Sequence, residues 1–438
     1  MVEHEGQTVV AALPRKRRFG RRLALPFLTL LLVLSILNIS GSALELHASK
    51  GTPHARTKLS IPRGPYVQLP LSAAQINAIW HKSDHLTLKQ LASLFVSRMT
   101  LDEKIGQLIT VQYSGPSYSP DLQYMIQNLH AGGVILYTWQ MFGFNQTKHD
   151  ITQMQQHAKI PLFISVDEEG GYVDRLQNIY KTWKPSATEI ADSGHVAAAT
   201  SAGKKIASEL RALGFNLDMA PDVDVQVVNG PDQLTRTFGT TPQAVETYAG
   251  AFMQALQSSN IVACIKHYPG LGAATIDAHV GLPIIKRTAD QIYATELAPY
   301  RAFIQSKNKL LNPGMIMSTD LLMPAIDPVM PAELSPTFIT DILRHQLGYD
   351  GVVTTDALYM DGISKKWSVP QAAVLALKAG NDMILGPIGA YQMQATINAI
   401  KAALQDGTLT RARIDEAVTR VITLKMQYHI LPGAPSVA

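Results

Sequence analysis

The stretch Lys266–Pro283, KHYPGLGAATIDAHVGLP, concentrates groups that can do chemistry. Lys266 and His267 are adjacent donors at the end of an apolar run, suited to holding ligand hydroxyls. Pro269, Gly270 and Gly272 then predict a turn-rich loop, and Asp277 and His279 follow at i, i+2. In an extended segment that spacing puts both side chains on one side. A carboxylate beside an imidazole sets its tautomer and favours its charged form, which suits a general acid working near neutral pH. Asp356 lies in GVVTTDALYM after five uncharged residues. A carboxylate held rigidly at a strand end suits a nucleophile attacking an anomeric carbon, and it equally suits an N-cap for the next helix. In VDEEGGYVDRL, Asp167 closes a run, Gly170–Gly171 let the backbone turn close to a ligand, and Arg175 can hold a hydroxyl or a carboxylate. Glu168 and Glu169 are neighbours that should point apart, so at most one belongs to a site. Arg236, in QLTRTFG, is a further guanidinium with the same capacity. Trp139 can stack on a flat ligand or pack on a helix.

These groups need a frame. Eight apolar runs recur, beginning at Gly106, Gly132, Pro161, Phe215, Ile261, Pro313, Asp350 and Asn381. Helix-period stripes separate them, among them Ile206, Leu210 and Leu213, and, near the end, Ile414, Ala417, Val418, Val421 and Ile422. Continuous apolar strands alternating with amphipathic helices predict a parallel sheet covered by helices. Eight such units predict an α/β fold of the (β/α)8 TIM-type barrel class. The polar residues sit at the C-terminal ends of the runs: Asp167, Asp218 and Asp222, Lys266 and His267, Thr319 and Asp320, Asp356. In a barrel those ends converge on one face. The third to fifth units are long, so their loops should carry extra structure.

Composition narrows the function classes. Of 438 residues, 46% are hydrophobic and 16% charged, a globular balance, and the formal charge is +4. That excess sits in residues 1–22, where six basic side chains face Glu3 and Glu5; the remainder is balanced, which argues against nucleic-acid binding. An apolar run from Leu23 to Ile39 and the small residues Ser40–Ala43 follow. Residues 1–43 therefore read as an export signal cleaved after Ala43, or as an uncleaved anchor with its basic end in the cytoplasm. Both place the body outside the cytoplasm, with membrane contact only through this segment. Residues 44–75 read as a stalk and 76–438 as the barrel. The single cysteine, Cys264, excludes an intramolecular disulfide and reads as a buried strand residue.

The ordered motifs resemble one family. MTLDEKIGQL at Met99, GGVILY, VDEEGG, NLDMAPDVDV, TRTFG, KHYPGLG, DAH, GVVTTDAL and RIDEAVTRVITLK make residues 90–428 similar to the β-N-acetylhexosaminidases of glycoside hydrolase family 3. The resemblance implies a retaining, two-step, metal-free hydrolysis without a cofactor. Asp356 would be the nucleophile, His279 the acid/base and Asp277 its partner, while Asp167, Arg175, Arg236, Lys266 and His267 would hold the sugar. Family members acting as β-glucosidases take their acid from a second domain. Here the barrel pattern runs to within about ten residues of the end, so the Asp277–His279 pair is expected to supply it. Two positions depart from the family pattern: Tyr172 stands where EGGR has arginine, and Leu271 where KHFPGHG has its second histidine. The expected activity is exo-acting release of terminal N-acetylglucosamine from peptidoglycan fragments or chitin-type oligomers by a monomer. A phosphorylase, a β-glucosidase-like member, a metal-dependent hydrolase using His267, His279, Asp277 and Asp356, and a non-catalytic carbohydrate-binding barrel are the other readings.

Overall fold

The computed structural model describes residues 72–82, 86–231 and 233–432. The leader at 1–43 and nearly all of the stalk lie outside the described residues. Among the described residues ten strands occur, in chain order: β1 (Ile109–Gln112), β2 (Gly133–Ile135), β3 (Phe163–Val166), β4 (Glu168–Gly170), β5 (Val173–Asp174), β6 (Leu217–Asp218), β7 (Val262–Tyr268), β8 (Met315–Ser318), β9 (Val352–Ala357) and β10 (Met383–Ile388). Eight of them close a barrel in the order β1-β10-β9-β8-β7-β6-β3-β2, with every pairing parallel. Each of the eight apolar runs supplies one barrel strand. β4 and β5 form a separate antiparallel hairpin just past β3.

The strands are mostly apolar up to their C-terminal ends because both of their faces are covered. Side chains such as Val134, Ile164, Cys264, Ile316, Val353 and Ile384 are fully buried. Each large aliphatic or aromatic side chain so enclosed contributes about 1.5–3 kcal/mol. The outer helices bury the predicted stripes: Ile206, Leu210 and Leu213 on helix Val196–Leu213, and Ile414, Ala417, Val418, Val421 and Ile422 on helix Arg411–Gln427. Local chemistry sets the helix ends. In helix Leu101–Gln107, Thr100 Oγ1 accepts from the Glu103 N–H at 3.2 Å and Glu103 Oε2 accepts from the Thr100 N–H at 2.7 Å, a reciprocal capping box. Helix Val196–Leu213 stops at Gly214, whose φ of 103° a side chain would resist.

The long units carry the expected additions. The third holds the β4–β5 hairpin and helix Ala187–Asp192, and the fifth holds the Gly270–Gly281 loop and helices Ala289–Ala294 and Ala298–Ile304. These insertions build the walls above the strand ends.

Candidate active site

The C-terminal ends of the strands open into one cavity of about 370 Å³. Asp167, Arg175, Arg236, Lys266, His267, Asp277, His279 and Asp356 all line it, as do Glu169, Tyr137, Tyr172, Tyr359 and Leu271. Residues spread over some 190 positions thus share one concavity of the size that takes a small ligand.

Asp356 is the penultimate residue of β9 and half-buried. Its Oδ2 accepts from the Thr319 hydroxyl at 3.1 Å, and its Oδ1 accepts from the Ala357 N–H at 2.7 Å. Both contacts hold the carboxylate at the strand end, and the N-cap alternative drops out: helix Asp361–Ser364 starts later, with Met360 at its N-cap.

Asp277 and His279 sit at the cavity rim. Asp277 Oδ1 accepts from the His279 backbone N–H at 2.7 Å and lies 2.8 Å from its Nδ1. The His279 side chain is 69% exposed. The base of their loop is anchored by Asp224, whose Oδ1 accepts from the Leu271 N–H at 2.8 Å, and by the Val227 N–H donating to the Gly272 carbonyl at 2.8 Å. Glycine is required at 272 because a Cβ there would meet the Val225 carbonyl oxygen at 1.8 Å. The tip rests on the end of the helix that follows β9: Lys365 Nζ donates to the Val280 carbonyl at 2.7 Å.

The floor is a charge network. Glu169 accepts from Arg236 Nε and Nη2, each at 2.9 Å, and pairs with Lys266 Nζ at 2.8 Å. Lys266 also donates to Asp167 Oδ1 at 2.7 Å. Burial pushes the Glu169 carboxyl up, but the Arg236 and Lys266 cations outweigh it and hold the group well below the usual carboxylate range. Burial likewise depresses Lys266, and the Asp167 and Glu169 carboxylates more than reverse it. The floor therefore keeps two anions and two cations fixed. Glu168 turns away, as neighbours on a strand must: its Oε2 accepts from the Leu176 N–H at 3.0 Å, and Oε1 lies 3.2 Å from the buried Lys184 Nζ. Burial pushes its carboxyl up to about 8 despite that lysine.

His267 Nδ1 lies 2.8 Å from Asp224 Oδ2, and its Nε2 lies 3.2 Å from Arg236 Nη2. A guanidinium can only donate, so Nε2 accepts and the proton sits on Nδ1, facing Asp224. The peptide bonds Lys266–His267 and Tyr268–Pro269 are cis.

Among the described residues, Asp222, Asp224 and His267 form the one group with metal-ligand spacing, their donor atoms lying within 4.8 Å of one another. The set fits a cation poorly. Its imidazole nitrogen already binds Asp224, and the Arg236 guanidinium, 4.0 Å from Asp222 Oδ2, supplies positive charge there.

Four other strand-end residues stay out of the cavity lining. Asp218 is buried and its Oδ1 accepts from the Glu168 N–H at 3.0 Å; Asp222 caps the Asp224 N–H at 2.8 Å; Thr319 is buried and reaches the cavity only through its bond to Asp356; Asp320 is fully buried. Trp139 stacks on Tyr137 with ring centroids 4.7 Å apart, so Tyr137 rather than Trp139 meets the cavity. Sequence reasoning missed Tyr137, Tyr359 and Asp224. The tyrosines stand just past β2 and β9, a position that marks them; Asp224 carried no local signal, because its partners lie more than 40 residues away.

The sequence model of the glycosyl hydrolase family 3 N-terminal domain matches residues 100–424. The chain belongs to glycosyl hydrolase family 3. Similar proteins include Beta-hexosaminidase A of Pseudoalteromonas piscicida, 31% identical over 70% of this chain and 55% of that protein. Beta-hexosaminidase LpqI of Mycobacterium tuberculosis is 31% identical over 74% of this chain and 82% of its own length. Among solved structures, a family 3 β-N-acetylglucosaminidase from Paenibacillus sp. superposes with a TM-score of 0.72 at 34% identity, covering 78% of this chain and 65% of that one. The chain thus spans little more than half of the first of these relatives and most of the second.

Proposed function

We propose that the protein is an exo-acting, retaining β-N-acetylhexosaminidase that releases terminal N-acetylglucosamine from peptidoglycan fragments or chitin-type oligosaccharides. The observation that carries this reading is the placement of two groups in one cavity, Asp356 inside it and the Asp277–His279 pair at its exposed rim. A terminal sugar entering ring-first would bring its anomeric carbon to Asp356 and leave the glycosidic oxygen at the mouth. The relatives named as hexosaminidases support the choice of sugar.

In the first step an Asp356 oxygen attacks the anomeric carbon as the bond to the leaving oxygen breaks. His279 gives that oxygen its proton. Asp277 occupies Nδ1, so Nε2 is the nitrogen that exchanges the proton. In the second step water attacks the same carbon, His279 takes its proton and the Asp356 ester breaks, giving overall retention. Lys266 spends two of its three donors on Asp167 and Glu169, which leaves one for a sugar hydroxyl. Arg175, whose buried Nε has no hydrogen-bond partner among the described residues, would bind a second polar group of the sugar. His267 and Arg236 complete the cradle. No metal or cofactor enters this scheme. The basic and then apolar leader supports export, with the barrel outside the cytoplasm.

The test is a parallel assay of aryl β-N-acetylglucosaminide, β-N-acetylgalactosaminide and β-glucoside, with and without phosphate. Hydrolysis of the first, giving free N-acetylglucosamine in both buffers, supports the reading. A preference for the glucoside, or a sugar 1-phosphate product, overturns it.

A further inference from the structure

A second, larger cavity of about 790 Å³ adjoins the first, and Tyr172 lines both. Two aromatic side chains in this groove face solvent: Tyr172 is 73% exposed and Trp183 is 67% exposed. Large aromatics left this open in a concave wall are a cost unless they meet something. Their backbones are not free to wander. The Gly171 N–H donates to the Lys184 carbonyl at 3.0 Å, tying the residue before Tyr172 to the residue after Trp183. Lys184 is itself buried and pairs with Asp174 at 2.9 Å, Glu168 at 3.2 Å and Glu209 at 3.4 Å. Gly170 and Gly171, at φ of 84° and 57°, bring the hairpin against this segment, where a Cβ on Gly171 would meet Ser186 Cβ at 2.4 Å. The two rings therefore stand on a stiff double support, with exposed Gln177, Lys181 and Thr182 along the same groove.

We propose that this groove binds the leaving-side sugars of the substrate, with Tyr172 and Trp183 as the faces on which successive pyranose rings stack. The inference rests on the hexosaminidase reading and extends it to oligosaccharides of three or more residues. Continuity through Tyr172 selects this occupant: a chain whose terminal ring fills the catalytic cavity leaves past Tyr172 into the groove. A pyranose offers an apolar face of C–H bonds to an aromatic ring and hydroxyls to flanking amides and charges, which matches the wall and rim found here. The groove mixes Asp174 and Glu189 with Lys181, and Asp174 is already paired with the buried Lys184 at 2.9 Å, so the remaining charges balance and do not call for an ionic ligand.

The experiment compares the whole protein with Trp183→Ala and Trp183→Phe on aryl β-N-acetylglucosaminide and on β-linked N-acetylglucosamine dimer, trimer and tetramer. The parent should show kcat/KM rising from dimer to tetramer. In Trp183→Ala the ratio of kcat/KM for tetramer to that for the aryl substrate should fall about tenfold, mainly through KM, as expected for one lost stacking contact. Trp183→Phe should recover most of it. A parent with no length dependence overturns the inference, as does an unchanged ratio. If the parent cleaves none of these substrates, the hexosaminidase reading itself has failed. The groove is then judged by calorimetric titration with the tetramer: about tenfold weaker binding to Trp183→Ala supports it, and equal affinity overturns it.

Discussion

Arg236 grips Glu169 with both prongs of its guanidinium, Nε on Oε2 and Nη2 on Oε1, each at 2.9 Å. The two residues are 67 positions apart and come from different barrel units. Sequence spacing suggested Arg236 as a residue that holds a ligand. The fold assigns much of its donor capacity to an internal carboxylate, so in the proposed mechanism Arg236 both faces the cavity and positions the Glu169–Lys266 pair.

Glu169→Gln is therefore expected to damage the floor rather than remove one contact. Arg236 and Lys266 would keep their charges in a buried setting without the anion they share, leaving Lys266 with Asp167. Breaking a buried pair in this way costs about 3–5 kcal/mol. Chemical denaturation should show the loss in stability, and kcat/KM on the aryl substrate should drop with it.

The proposed division of labour between Asp356 and His279 gives different substrate dependences. Asp356→Asn should reduce turnover of every substrate about 10⁴-fold, the scale seen when a nucleophile is removed. His279→Ala should hurt substrates with poor leaving groups about 10²-fold or more, and activated aryl substrates far less, because only the former need the proton. Equal losses on a nitrophenyl glycoside and on the dimer would sink the acid role of His279.

Lys365 links the loop that carries His279 to the Asp356 side of the barrel through its bond to the Val280 carbonyl, and it also pairs with Asp361 at 3.1 Å. Lys365→Ala should loosen the loop tip without touching Asp356. The expected result is a loss of about fivefold in kcat on oligosaccharides, with a smaller change on activated aryl substrates, since an exposed contact of this kind is worth about 1 kcal/mol. Equal effects on both substrates would place the role of Lys365 elsewhere.

Glu296 supplies a pH signature. It is buried beside Arg287, with Nε to Oε1 at 2.7 Å, and burial pushes its carboxyl up to about 7 although Arg287 pulls it down. An unfolded glutamate titrates near 4.3. Between those values the folded chain binds more protons than the unfolded one, so this group makes stability fall as pH rises from about 4.5 to about 7. Glu296→Gln should flatten that part of the profile. Tm measured at pH 5 and pH 8 should differ less in the variant than in the parent.

Much of this protein was legible in one dimension. The eight apolar runs each became one barrel strand, because strands buried on both faces must be mostly apolar, and that constraint is written locally. The stripes from Ile414 to Ile422 and from Ile206 to Leu213 became buried helix faces for the same kind of reason. The eight candidate site residues all line one cavity, because each stands at a strand end or in the loop just beyond it and a closed barrel brings those ends together. What the sequence could not disclose were pairings across the barrel. Whether Glu168 or Glu169 faced the cavity depended on where Lys184, Arg236 and Lys266 would lie. Asp224 became the partner of His267 and the anchor of the Leu271 backbone only when β6 and β7 lay side by side. Tyr172 and Trp183 came to share a groove only through the bond between the Gly171 N–H and the Lys184 carbonyl. Hydrophobic periodicity is a property of neighbouring residues, so the chain carries it openly. Charge pairing and cavity walls depend on distances between residues far apart in sequence, and only the closed barrel decided those.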